Sequence, residues 1–171
     1  TLAAGVDVVV ADAAAIYAVS ASDTINTLTV GAAGKAQLDS GQTLTIAATS
    51  AIAGIVQGDG NLSITGGTTT LSAANTYAGT TTIAAGATIL IDGGGKLGNG
   101  SNVYAGAISN DTTLTYSSSA TQTLSGAISG TGAVVKDTDA SVLTLSGTNT
   151  FTGDLTINLG TVDVTGTLAA G

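Results

Sequence analysis

The sequence TLSAANTYAGTTTIAAG at residues 70–86 returns as TLSGTNTFTGDLTINLG at residues 144–160. Nine of the seventeen positions are identical, and Tyr77 of the first copy is matched by Phe151 of the second. Self-similarity of this kind is typical of proteins built from repeated structural units. Each copy places apolar and β-branched residues between Asn, Gly and Thr, which predicts short strands joined at tight corners.

Strand-like runs also occur outside the two copies. TLTV at 27–30, TLTI at 43–46 and TLTY at 113–116 alternate polar with apolar residues, as half-buried strands do. The word GAIS occurs at 106–109 and again at 126–129. This spacing suits a solenoid with three short strands in each coil of about 20 residues.

Several other architectures fit the sequence less well. The gaps between strands are too short for βαβ crossovers. An antiparallel sandwich remains possible from periodicity alone, but Asn-Gly and Asp-Gly hairpin turns do not recur regularly. The Ala-rich stretch at 11–19 is compatible with a short helix, yet it is better interpreted as a strand or irregular coil. We therefore predict an all-β fold of about eight coils over about 166 residues.

The composition narrows the range of functions. The chain has 31 Thr and 25 Gly, and it lacks Pro, Cys, His, Met, Trp, Arg and Glu. Without His, Cys and Glu the usual general bases and activators of nucleophiles are missing, which predicts a non-enzyme with no catalytic, cofactor-binding or metal-ligating residues. A site made of paired Asp residues remains possible in principle. A net charge of −8 disfavours nucleic acid as a partner. No apolar run is long enough to span a membrane.

The stretch LSAANTYAGTTTIAAGATILI at residues 71–91 resembles the passenger-associated strand repeat of bacterial autotransporters. That family has an apolar strand, then Ser/Thr-Gly-x-Asn-Thr-Tyr-x-Gly, and then Thr-x-Ile with Gly and a further strand. The first copy matches at Leu71, Asn75, Thr76, Tyr77, Gly79, Thr82, Ile83 and Gly86. The second matches at Leu145, Gly147, Asn149, Thr150, Thr156, Ile157, Gly153 and Gly160. Ala73 replaces the usual Gly, and Phe151 keeps the ring of Tyr without its hydroxyl.

This resemblance implies a right-handed parallel β-helix on a bacterial surface. It places strand-repeat motifs at 70–91 and 144–164 in a single segment, residues 1–171, and residues 22–46 are similar to linker coils of such passengers. The expected function is a non-enzymatic structural or adhesive rod, extracellular and without a cofactor. Two alternatives remain: a solenoid that binds ice or glycans, and a polymerising subunit of a secreted matrix.

Four residues of the repeats are also candidates for ligand binding. Asn75 and Asn149 have the side chains of ligand groups, and Tyr77 and Phe151 have the rings of a sugar-binding platform. A structural role is favoured for all four. Asn at a corner can bond the backbone around it and accept a left-handed conformation. The rings are expected to pack at the corners.

Three further stretches resemble binding sites. Asp137 and Asp139 have the spacing of calcium ligands, and GDGNLSITGG at 58–67 faintly resembles glycine-rich calcium-binding repeats. Calcium takes six to eight oxygens, so solvated turns are the favoured interpretation of both. GGGKLGNG at 93–100 has the glycines of a phosphate-binding loop but not its Gly-Lys-Ser/Thr, and is interpreted as a flexible corner.

Ice binding has its own requirement, because a ladder of outward Thr pairs must lie on one face to match an ice lattice. Thr-x-Thr occurs at 27–29, 43–45, 68–70, 80–82, 113–115 and 121–123. The irregular spacing of these pairs predicts that they do not share one face. Thr is then simply a good strand residue on a wet surface.

The word TLAAG stands at residues 1–5 and again at 167–171. The sequence shows no polar cap at either place, and TVDVTGTLAAGVDVVV would be a continuous strand pattern if two copies shared one word. We therefore expect the chain to be one period of about 166 residues in a longer array. Its expected partners are neighbouring copies of itself, end to end, and surface or matrix glycans.

Overall fold

The computed structural model describes residues 2–3, 5–12, 14–98 and 101–169. These residues wind into a parallel β-solenoid of about eight turns, and they contain no helix. The predicted all-β solenoid with short strands about 20 residues apart is confirmed. Residues 11–19 contain a strand rather than a helix, and the pairing is parallel rather than that of an antiparallel sandwich.

Three faces are visited in the same order in every coil. The first consists of β1 (Val8–Val10), β4 (Leu28–Val30), β7 (Ser50–Ile52), β10 (Gly67–Leu71), β13 (Ala87–Ile91), β16 (Thr113–Tyr116) and the first parts of β19 (Ala133–Leu145) and β21 (Leu155–Val164). The second consists of β2 (Ile16–Val19), β5 (Lys35–Leu38), β8 (Ile55–Gly58), β11 (Thr76–Tyr77), β14 (Val103–Tyr104), β17 (Gln122–Leu124) and the later parts of β19 and β21. The third consists of β3 (Asp23–Ile25), β6 (Thr43–Ile46), β9 (Asn61–Ile64), β12 (Thr81–Ile83), β15 (Ile108–Asn110), β18 (Ile128–Ser129), β20 (Thr148–Asn149) and β22 (Thr167–Leu168).

The core is a set of inward columns, because alternate residues of each strand point to the axis and adjacent coils are in register. One column of the first face runs Val10, Val30, Ile52, Leu71, Ile91, Tyr116, Lys136 and Ile157. Each large aliphatic side chain buried in such a column contributes about 1.5–3 kcal/mol. The coils therefore depend on their neighbours to complete both the core and the backbone hydrogen bonds.

Coil length is not constant. Among the paired strands, the shortest step between stacked residues leads from Leu44 to Leu62. The longest step leads from Thr81 to Ile108 and is about one and a half times as long. The longest coil carries its extra residues between the isolated bridge at Lys96 and strand β14. On the second face this insertion separates the ladder β2-β5-β8-β11 from the ladder of β14, β17, β19 and β21.

The two copies of the repeat lie on different faces. Leu71 of the first copy pairs with Ile91 on the first face, whereas Leu145 of the second pairs with Val164 on the second face. The corner sequence is therefore used at two different corners of the solenoid. The repeat encodes a way of turning the chain, and does not mark one side of the molecule.

Candidate functional site

The Asn of the first repeat connects three coils. The Asn75 Oδ1 accepts the backbone N–H of Val56 at 2.9 Å, in the preceding coil. Its Nδ2 donates to the carbonyl of Ala73 at 3.0 Å in its own corner, and to the carbonyl of Lys96 at 2.9 Å in the following coil. Asn75 is buried, so its amide replaces backbone hydrogen bonds at a place where the strand is interrupted.

The second repeat uses its Asn in the same way. The Asn149 Oδ1 accepts the N–H of Ile128 at 3.1 Å, and Nδ2 donates to the carbonyls of Gly147 at 3.0 Å and Thr167 at 3.1 Å. The predicted backbone-supporting role of both Asn residues is confirmed. Neither Asn adopts the left-handed conformation that its residue type would tolerate, because no described non-glycine residue has a positive φ. A side-chain amide bridge makes that conformation unnecessary.

The rings of the repeats are buried, as predicted. Tyr77 is 0% exposed and Phe151 is 7% exposed, so neither presents a platform to a sugar. The Tyr77 and Thr81 hydroxyls lie 2.7 Å apart, Thr81 and Tyr104 likewise, and the Tyr104 hydroxyl donates to the Gly79 carbonyl at 2.6 Å. Burial raises the pKa of Tyr104 to about 12. This chain of hydroxyls joins the two ladders of the second face across the insertion.

A lysine lies inside the core, a position that the sequence pattern does not predict. Lys136 is 0% exposed and occupies an apolar column between Tyr116 and Ile157. Its Nζ donates to the carbonyl of Thr138 and lies 5.9 Å from the centroid of the Tyr116 ring. Burial lowers the pKa of Lys136, and the charges of two nearby aspartates only partly oppose this.

Replacing Lys136 by methionine is expected to raise the free energy of unfolding at pH 7 by about 1–3 kcal/mol, because a buried charge is exchanged for an apolar chain of similar length. The lowered pKa means that the unfolded state binds more protons between that pKa and about 10.4. Wild-type stability from this group therefore grows as pH rises through that window. The advantage of Lys136→Met should shrink accordingly.

Urea unfolding at several pH values between 7 and 10 measures this difference directly. Lys35→Met is the matched control, because Lys35 is only half-buried and points outward from β5. A Lys136→Met variant that is less stable than the wild type at pH 7 would show that the lysine stabilises the fold.

The two calcium-like stretches, residues 58–67 and Asp137 with Asp139, do not form a cluster of metal-ligating side chains within the described parts of the chain. Asp137 and Asp139 lie where β19 loses register with β21, between Lys136 and Val142. Residues 2–3, 5–12, 14–98 and 101–169 contain no group of three potential metal-ligating His, Cys, Asp or Glu residues. Part of the glycine-rich stretch at 93–100 lies outside the described residues. Within it Leu97 is buried, and its N–H donates to the Gln122 Oε1 at 3.1 Å.

The third face has an outward column of hydroxyls. The Thr-x-Thr pairs scatter over the three faces, as predicted, because 27–29, 68–70 and 113–115 fall on the first face and 121–123 on the second. A single column nevertheless runs through six successive coils, Thr24, Thr45, Ser63, Thr82, Ser109 and Ser129. The spacing of Thr pairs does not reveal this column, because half of its members are serines and because coil lengths vary.

Two clefts lie at opposite ends of the stack. One, of about 230 Å³, is lined by Val8, Val9, Val10, Ala15, Ile16 and Tyr17 of the first coil. The other, of about 150 Å³, is lined by Phe151, Thr152, Gly153, Leu155, Leu168 and Ala169 of the last. Both are places where inward columns reach an end coil and remain partly uncovered.

Comparison with known families agrees with this geometry. A family model described as the passenger-associated-transport-repeat matches residues 55–90 and 137–164. Together with the parallel β-solenoid, these matches support an autotransporter passenger repeat segment. The two matches contain the corners of Asn75 and Asn149, so each matched repeat includes the corner unit described above.

The passenger repeats imply a secreted or surface-exposed protein. A solenoid of such repeats is typically structural. The passenger segment matches no curated protein and no solved structure at a significant level. No helix capable of crossing a membrane is found in the described portion of the chain.

Proposed function

We propose that this passenger segment is a non-enzymatic rod on the outside of a bacterial cell, where it extends and supports an adhesive or matrix-forming surface. The observation that carries this proposal is the use made of the polar groups in the repeats. The amides of Asn75 and Asn149 and the hydroxyl of Tyr104 all bond neighbouring coils. The side chains best able to bind a ligand or take part in a reaction are therefore used to hold neighbouring coils together.

The ends of the rod support a continuous solenoid as part of this proposal. In the last coil Ile157 is 50% exposed although it lies in an inward column, and Leu168 is 43% exposed. In the first coil, residues of strands β1 and β2 line an open cleft. Apolar columns and unpaired strand edges of this kind are stabilised when further coils cover them.

The rod is tested with the purified segment and with cells that display it. Small-angle scattering should give an elongated particle whose stack is about 40 Å long, since each coil adds about 4.8 Å. Displayed on a non-adherent bacterium, the segment should increase cell–cell aggregation or attachment to coated surfaces. Cells that display a scrambled-composition linker of equal length are the control. Turnover of a surface polysaccharide by the purified segment would contradict the non-enzymatic proposal.

A second candidate function, ice or glycan binding, is favoured by the hydroxyl column of the third face. Thr45 and Thr82 belong to this column, and Thr43, Asn61 and Thr80 form a second polar column beside it. Hydroxyls on adjacent coils are spaced by about 4.8 Å, and those two residues apart on one strand by about 6.7 Å. A regular array of this kind can order water or contact sugar hydroxyls.

Ice-recrystallisation assays distinguish this function from the rod alone. The double variant Thr45→Lys/Thr82→Lys should abolish any inhibition, because two lysines interrupt the array. Thr88→Lys/Thr115→Lys is the matched control, since both residues point outward from the first face. Inhibition that is absent from the wild type, or equally lost in both variants, would exclude the third face as an ice-binding surface.

A further inference from the structure

We infer that the solenoid continues into a second copy of itself with a period of eight coils, so that every inward column of one copy runs on into the same column of the next. This inference rests on the proposed rod and names its partner. It is carried by the position of the repeated word TLAAG in the coils. Thr1, Ala4, Ala170 and Gly171 lie outside the described residues, and Leu2 and Leu168 lie within them.

Leu2 and Leu168 belong to one column of the third face. Leu168 pairs with Asn149, which is bonded to Ile128 of the preceding coil. From there the register passes through Ile108, Thr81, Leu62 and Leu44 to Asp23. The Leu2 N–H donates to the Asp23 Oδ1 at 2.9 Å, one layer further on. The second residue of each word therefore occupies the same column, eight layers apart, and both leucines are 43% exposed.

The register is preserved on all three faces when residues 167–171 of one copy also serve as residues 1–5 of the next. Leu155 is then followed by Val8 of the next copy after the same length of chain that separates Leu62 from its stacked partner Thr81. Val162 is followed by Tyr17 of the next copy, and Leu168 is followed by Asp23 of the next copy. Both steps have the same length of chain as the step from Asp23 to its stacked partner Leu44. The joint requires no coil length that the solenoid does not already use.

The chemistry of the two ends is complementary. Val8 of the following copy meets Leu155, and Val10 meets Ile157, so that apolar columns continue across the joint. None of the described residues that line the two end clefts is charged. The Asp23 carboxylate, which also accepts the Tyr17 hydroxyl at 2.6 Å, receives the N–H of Leu168 in place of that of Leu2.

The shared position of the two leucines favours copies joined in one polypeptide. Separate molecules would each bring the word TLAAG to the same layer, and one of the two segments would have to leave it. A joined pair contains the word once at each joint.

The test is a fusion of residues 1–171 followed by residues 6–171, which joins two copies through one word. It should scatter as a single straight rod about twice as long as the single segment. In hydrogen exchange, the amides at the joint around Ile157 of the first copy should be protected at least 10-fold more than those around Ile157 of the second copy, which stay at a free end.

Ile157→Asp supplies the matched control, because the same change is made in either copy of one fusion. In the first copy it should open the joint and bend the rod. In the second copy it should leave the rod unchanged, which also shows that the variant folds. Equal protection at both positions, or equal effects of the two substitutions, would overturn the inference. The rod proposed for the single segment would still stand if its own scattering remained elongated.

Discussion

Replacing Gly58 by alanine is expected to lower the free energy of unfolding by about 2–5 kcal/mol. Gly58 has a φ of 102°. A Cβ at this position would lie 2.1 Å from the Leu38 carbonyl oxygen and 2.4 Å from the Gln37 Nε2 in the neighbouring coil. The first conflict involves backbone, so only a displacement of one coil from the next can relieve it. Urea unfolding of the wild type and Gly58→Ala measures the loss.

Gly41→Ala is the control that separates the two sources of this cost. Gly41 also has a positive φ, 75°, but a Cβ there meets nothing within 4 Å. Its replacement should cost about 1 kcal/mol, from backbone strain alone. Equal losses in the two variants would mean that close approach of the coils contributes nothing at Gly58.

Replacing Asn75 by alanine should destabilise the solenoid by about 2–4 kcal/mol, because a buried N–H loses its acceptor and three coils lose their bridge. The Lys96 carbonyl keeps the Asn75 backbone N–H as a donor, and the Ala73 carbonyl keeps that of Lys96. The Val56 N–H is the group that loses its amide acceptor. Thermal and urea unfolding, followed by hydrogen exchange at Val56, measure both the global and the local effect.

Asn75→Asp should cost more than Asn75→Ala, although it is the smaller change in shape. A carboxylate oxygen would replace Nδ2 and face the carbonyls of Ala73 and Lys96, which accept hydrogen bonds and repel negative charge. Asn102→Ala is the control, because Asn102 is exposed and accepts from the Lys96 Nζ at 2.8 Å. It should change stability by less than about 0.5 kcal/mol. An Asn75→Asp variant as stable as Asn75→Ala would contradict the bridging geometry.

The solenoid and its corners could be predicted from the sequence because both are local properties. Alternation within TLTI fixes which residues point inward, and the Asn of each repeat acts within hydrogen-bond reach of its own corner. The layer in which a residue lies is a cumulative property. It depends on the length of every preceding coil, and the long coil before Ile108 shifts all later layers.

The features that could not be predicted from the sequence depend on that cumulative register. The hydroxyl column joins Thr82 to Ser109 across the longest coil, a spacing that no fixed period contains. Lys136 ends the strand-like run VVK, where a cation suggests an outward position, yet its register partner is the inward Tyr116. The face on which the second repeat falls follows from the same variation. These three features needed the pairing of particular strands.

The chain of one coil is much longer than the thickness that the coil adds to the stack, and this difference has a mechanical consequence. A coil of about 20 residues adds about 4.8 Å to the stack, but the same residues span roughly 65 Å when they are drawn out as an extended chain. Because each coil is bonded only to its neighbours, tension at an end would peel away one turn at a time. Each turn would then release more than ten times its own thickness. A tether built in this way would lengthen greatly under load while the remaining turns kept their structure.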